Sequence, residues 1–148
     1  MSVFQKEILE QHLAEVFRNE YIAVYIDSSK KILVCQTQAS YIPIHTFKDS
    51  FLKCAGLIER GGVERFVFDK RSLRAFHQPS MEWYFVSWKQ EMYKLHGLRV
   101  HRKILPPEPW FQKCVEAGRH EIELKHPANI FSKLDIGYTG SIAESLVV

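Results

Sequence analysis

Apolar residues at positions 4, 8, 9 and 13 recur at a helical interval, which predicts a short helix over the first dozen residues. A short strand is expected at 15–17. The runs YIAVYI (21–26) and KILVCQT (31–37) are rich in β-branched and aromatic residues. They flank DSSK, a turn-type cluster, and together make the pattern of a β-hairpin. From Thr46 the period lengthens: Phe47, Phe51, Cys54, Ala55 and Ile58 share one helical face. Thr46 and Asp49 form a capping-box-like start, and Gly61-Gly62 supplies the stop. VERFVFD (63–69) reads as a strand. Met81, Phe85, Trp88, Met92 and Leu95 then lie on one helical stripe, with Pro79 in the first turn and Gly97 as terminator. LRVHRKIL (98–105) is the next strand, and PPEP (106–109) breaks the chain. Trp110, Phe111, Cys114, Val115 and Gly118 mark another helix. KLDIGY (133–138) is a last strand, before a short helix capped by Ser141 and Glu144 that carries Ile142, Ala143 and Leu146.

A hairpin followed by alternating helices and strands implies parallel pairing through crossover connections. The expected fold is an α/β sandwich on a mixed, mostly parallel sheet with an N-terminal antiparallel hairpin. At 148 residues the chain is expected to be one domain, 1–148, with 1–14 as a helical extension. A chain of this length buries roughly 70% of its unfolded surface and needs no staples.

Composition changes this picture little. The chain is 46% hydrophobic and 25% charged, as globular proteins are. A formal net charge of +3 is too modest for a duplex-binding domain, so no nucleic-acid partner is expected. The three cysteines, Cys35, Cys54 and Cys114, cannot all pair within the chain and match no metal or redox spacing. Reduced, buried thiols and a cytosolic setting are expected. No apolar stretch approaches 18 residues, and the N-terminal segment has no signal-peptide core, so no membrane span is expected. Neither a cofactor nor a metal site is expected.

The residues that carry candidate chemistry cluster after the fourth strand. Lys70, Arg71 and Arg74 stand just past its end, and His101, Arg102 and Lys103 lie toward the same end of the next strand. If the two strands are neighbours, these cations and His77 converge where ligands of open α/β sheets bind. A helix start near Pro79 adds free N–H groups. Such an edge suits phosphate or carboxylate. The plainer reading is a solvated loop in which Asp69 pairs Arg71 or Lys103. Ser80, at the helix start and near Arg71 and Arg74, is a candidate phosphorylation site, though a first-turn serine is commonly a cap. Trp83 and Tyr84 fall off the centre of the buried stripe and, with Phe76 and Trp110, are candidate pocket or interface aromatics, which keeps a homodimer open.

RHEIELKH tempts toward a metalloprotease helix. Its histidines, His120 and His126, are six apart and face different ways, so that reading fails. No nucleophile elbow, P-loop or dinucleotide fingerprint is present, and GYTGS (137–141) lacks the lysine of a phosphate loop. A Cys–His pair such as Cys35 with His45 or His77 is the conceivable nucleophilic arrangement.

The order of elements, with FDKR ending the central strand and PSMEWYFVSW opening the next helix, resembles the SpoIIAA-like proteins, which include STAS-type domains. The resemblance spans roughly residues 15–146 and rests on Asp69-x-Arg71 and on Trp83 early in the following helix. It implies a non-enzymatic regulatory or ligand-binding module of bacterial type. Such a module binds a protein partner, switched by phosphorylation of a serine at the position of Ser80, or a small anionic or amphipathic molecule. HQPSM stands where the family's usual Asp-Ser-Ser-Gly type segment would be. The alternative is a small hydrolase or transferase using histidine or cysteine in the same crevice.

Overall fold

The computed structural model describes residues 3–148. Six strands form one sheet in sequential order: β1 (Ala14–Arg18), β2 (Ile22–Ile26), β3 (Ile32–Thr37), β4 (Arg65–Asp69), β5 (Val100–Ile104) and β6 (Asp135–Tyr138). β1, β2 and β3 pair antiparallel, and β3 through β6 pair parallel. The mixed sheet and its N-terminal hairpin match the expected α/β architecture. The turn of that hairpin is held by Asp27, whose Oδ1 accepts from the backbone N–H groups of Lys31 and Ile32, each at 2.9 Å. Lys30 takes the left-handed conformation there, with φ of 61°.

Helices cover both faces. On one side lie α2 (Ile44–Glu59), α5 (Pro109–Lys125), and a long helix made of α3 (Gln78–Glu82), a π-helical stretch Trp83–Lys89 and α4 (Gln90–His96). On the other lie α1 (Val3–Glu10) and α6 (Ile142–Val147). Strand alternation sends Leu33, Cys35, Phe66 and Phe68 into the larger core, and Val34, Val67 and Ile104 into the smaller one. Since all three crossover helices lie on one face and the strands run in order, the crossovers share one hand.

The boundaries differ from expectation at three places. α2 starts two residues early, at Ile44, and its N-cap Pro43 makes no side-chain cap, so Thr46 and Asp49 form no capping box. Pro43 ends the preceding extended segment with ψ of 141°, and the helix begins immediately after it. α5 runs on past Gly118 to Lys125. The stripe from Met81 is interrupted by i→i+5 bonding, which winds more residues into each turn. That narrows the angle between residues four and five apart. Tyr84, Phe85, Trp88 and Lys89 therefore all turn inward, where a regular α-helix would spread them over a wider arc.

Phe51 and Trp88 anchor the larger core. Their rings meet edge to face at 5.1 Å, and the indole N–H donates to the Phe51 carbonyl at 2.7 Å. Gly118 lets α5 approach α3: a Cβ there would stand 2.3 Å from Gln78 Oε1 and 2.8 Å from Phe76 Cζ. Gly118→Ala is expected to cost about 1–3 kcal/mol through this overpacking. Urea unfolding measures it, and an unchanged midpoint would show that Gln78 and Phe76 yield freely.

Candidate functional site

The carboxyl ends of β4, β5 and β6 form the chemically richest region. Each strand delivers alternate residues to opposite faces, and the parallel register pairs Phe66 with His101, Phe68 with Lys103, and Lys103 with Tyr138. His101 and Lys103 therefore share the face of Phe66 and Phe68. Asp69 and Arg102 share the opposite face with Gln36 and Gly137, their register partners. Gly137 has no Cβ where one would come within 3.2 Å of the Arg102 side chain.

On the α1 face a buried polar network holds the end of β4. Asp69 Oδ1 accepts from the Arg71 backbone N–H at 3.1 Å and from its Nε at 2.9 Å. Asp69 Oδ2 accepts from Arg71 Nη2 at 2.8 Å and from Gln36 Nε2 at 3.1 Å. Glu7 of α1 adds an ion pair to Arg71 at 2.6 Å, and the Phe4 ring lies 4.2 Å from the guanidinium.

Past this network opens a cleft of about 740 Å³. Its wall is built by Phe4 and Arg71, by Ile104, Leu105 and Pro107 at and past the end of β5, and by Tyr138, Thr139 and Gly140 at and past the end of β6. One face of α5 closes it with Gln112, Val115, Glu116, Arg119, His120 and Glu123. The wall is mainly apolar. Its charges are mixed in sign, and Arg119 Nε lies 3.4 Å from Glu123 Oε1.

Beneath the helix face of the sheet lies a cluster that no pattern of the sequence announced. Lys70, Lys89 and Lys103 are all buried, at 1%, 0% and 0% exposure. Their amines gather around two rings. Lys103 Nζ lies 3.6 Å and Lys89 Nζ 4.3 Å from the Phe85 centroid, and the three amines stand 4.8–6.0 Å from Tyr84. None makes an ion pair among the described residues. Among the described residues, Lys89 Nζ, Lys103 Nζ, the Tyr84 hydroxyl and both His101 ring nitrogens make no hydrogen bond of ordinary geometry, although the Lys89 and Lys103 amines face each other, and Lys70 Nζ meets the Met81 sulfur at 3.5 Å. Burial holds Lys70 down to about 8. Burial first, then neighbouring cations, holds Lys89, Lys103 and His101 well below their ordinary values. An unpaired interior ammonium costs several kcal/mol, and the aromatic faces offset only part of that.

The structure does not bring the six candidate anion-site residues together. Lys70 and His101 are in the core. Arg71 is taken up by Asp69 and Glu7. Arg74 donates to the Arg71 and Leu73 carbonyls, each within 2.8 Å, and lies 3.6 Å from Glu108. His77 caps α3, its Nδ1 accepting from the Ser80 N–H at 3.3 Å. Arg102 faces the other side of the sheet, bonding Asp135 at 3.1 Å and the Val148 carbonyl at 2.9 Å. Strand alternation is the reason: neighbours in sequence along HRK go to opposite faces. Ser80 is 1% exposed, its hydroxyl 2.8 Å from His77 Nδ1, so an enzyme reaches it only if α3 opens locally.

The four aromatics do not form one patch either. Tyr84 is fully buried, which corrects its expected place off the stripe. Trp83 packs edge-on against Phe47 at 6.2 Å, Phe76 against Phe111 at 5.9 Å, and Trp110 is 46% exposed beside Phe111. Cys35 and Cys54 are buried and free, and burial pushes the Cys35 thiol well up. Cys114 is only half buried, against expectation, because it sits at the flank of α5 rather than on its inner stripe.

Among the described residues no group of three or more His, Cys, Asp or Glu side chains could hold a metal ion, and no helix is long and apolar enough to cross a membrane. No protein-family model matches the chain, and no curated protein matches it significantly.

Of the residues that sequence reasoning passed over, Lys89, Arg119 and Tyr138 matter most. Lys89 follows Trp88 directly, and at a period of 3.6 it falls off the apolar stripe. Period-two alternation, applied to FVFDK and HRK through a parallel register, would have placed Lys70, His101 and Lys103 beside Phe66 and Phe68.

Proposed function

We propose that the chain is a non-enzymatic, SpoIIAA-like binding module whose ligand is a small amphipathic or anionic molecule held in the cleft at the carboxyl ends of β4, β5 and β6. The observation that carries this reading is the cleft itself. At about 740 Å³ it has the size of small-molecule sites. A mainly apolar wall with a few convergent polar groups is their usual composition. It also stands where open α/β sheets bind ligands. A cytosolic regulatory role follows if occupancy of the cleft alters docking of a protein partner, or of a second copy, on the same edge.

Isothermal titration with dodecanoate and with dodecanol tests the reading. Saturable binding of at least one is expected, weakened about tenfold or more when the exposed wall residues Gln112 or His120 are replaced by tryptophan to fill the space. Absence of saturable binding to both would sink it. The hydrolase or transferase alternative has less support. Among the described residues, His120 is the one imidazole in the cleft wall and no cysteine lines it, so Cys–His chemistry has no pair there.

A further inference from the structure

The three lysines beneath the cleft define what its ligand carries. Buried polar groups in proteins are satisfied with few exceptions, and each exception asks for a cause. Here four donors converge around Tyr84 and Phe85: the unsatisfied amines of Lys89 and Lys103, the unsatisfied Tyr84 hydroxyl, and Lys70, whose amine meets a thioether sulfur. Among the described residues no carboxylate pairs with these amines, so the cluster lacks a negative charge; the Tyr84 oxygen and the His101 ring are its neutral acceptors. His101 beside it adds no acid, and the other charged group felt by Lys89 and Lys103 is Arg119.

The cleft and the cluster adjoin. Arg119 and Val115 line the cleft and also a small hollow of about 10 Å³ beside Lys70 and Phe85. Tyr138 lines the cleft, and its ring lies 5.9 Å from Lys103 Nζ. We propose that Lys70, Lys89 and Lys103 are the head-group end of the cleft and receive the terminal oxyanion, a carboxylate or phosphate, of an amphipathic ligand whose apolar part fills the cleft. The proposal rests on the cleft being a ligand site. The hollow holds roughly one water, so the head enters as Arg119 and the half-exposed Tyr138 swing aside. Tyr138 sits on the sheet's edge strand, and among the described residues Glu123 is the one ion-pair partner of Arg119. The oxyanion supplies several acceptor positions and the missing charge, and charge-assisted bonds from ammonium groups are the strong kind. The exposed carboxylates Glu116 and Glu123 stay with the solvent side of the wall.

The test compares a charged and a neutral head on one tail. Isothermal titration of dodecanoate and dodecanol is run on the intact chain and on Lys103→Met, with Lys89→Met as a second variant should the first fail to fold. In the native chain dodecanoate is expected to bind about tenfold or more tighter than dodecanol. In the methionine variants that preference disappears while dodecanol affinity stays within about twofold of the native value. Dodecanol binding with no preference for dodecanoate overturns the proposal and leaves the cleft reading standing. A preference that survives in the variants also overturns it, and moves the anion to Arg119 or Arg71. Binding of neither molecule overturns both readings. Titration of dodecyl phosphate, and of inorganic phosphate alone, separates a tailed ligand from a free ion. Phosphate binding without the tail, lost in Lys103→Met, keeps the oxyanion site and removes the amphipathic ligand.

Discussion

Asp69→Ala is expected to destabilise the protein by about 3 kcal/mol or more, in the range for breaking a buried ion pair on one side. The carboxylate is 1% exposed and accepts from Arg71 through three N–H groups and from Gln36 through a fourth. Removing it leaves the Arg71 guanidinium, itself 9% exposed, with Glu7 as its remaining acid and the Phe4 ring as its cover. It also strips Gln36 of its Asp69 acceptor. Asp69→Asn keeps the acceptor oxygen and loses the charge, so its cost should be smaller. Urea unfolding of both variants provides the measurement. A loss below about 1 kcal/mol for the alanine would show that Glu7 alone satisfies Arg71, and that the end of β4 is held by the sheet. Because Arg71 and Phe4 line the cleft, a true loss of the network should also disturb that wall.

Stability is expected to rise, not fall, as pH increases from 7 to 9. Lysines whose folded pKa lies below the unfolded value carry fewer protons folded than unfolded between the two, so unfolding takes up protons and higher pH favours the folded state. For Lys70 the window runs from about 8 to the ordinary 10.5, which is about 3 kcal/mol over the full span and about 1 kcal/mol between pH 8 and 9. Burial and the neighbouring cations hold Lys89 and Lys103 well below their ordinary value as well, so they add to the rise. Two groups oppose it higher up. Cys35, pushed well above its ordinary 9.0, works against the rise above about pH 9 as the unfolded thiol ionises, and Tyr84 does the same above about pH 10. Three lysine contributions outweigh one thiol, so stability should still be rising at pH 9 and turn over above about pH 10, where Tyr84 joins Cys35 and the unfolded lysines begin to deprotonate. Urea unfolding at pH 7, 8 and 9 reads it, and Lys70→Met should be more stable than the native chain at pH 7 and show a flatter profile. A flat native profile would mean that the amines keep ordinary values and reach water or an ion in solution.

Much of the architecture was legible along the chain. Runs rich in β-branched and aromatic residues on either side of DSSK located the hairpin, and the alternation of apolar stripes with strand runs implied the parallel half of the sheet. Those signals are local, because a strand or helix buries one face whatever it packs against. The π-helical stretch escaped because periodicity was judged at 3.6. The same error put Tyr84 outside the core and left Lys89 unnoticed.

The candidate site was legible only in part. The chain by itself placed Lys70 and Arg71 at a strand end, tied Asp69 into that loop, and put the basic HRK segment on the next strand. Which face each residue takes depends on register, and which charges meet depends on helices far away in sequence. Glu7, 64 positions before Arg71, completes the network. α5 brings Arg119 to the cleft, and the widened helix carries Lys89 to Lys103 and Lys70. Tertiary structure thus dispersed the basic edge that the sequence suggested and assembled a different, buried one. Adjacent strand residues diverge by half a turn, while the packing of remote elements brings distant side chains to one place.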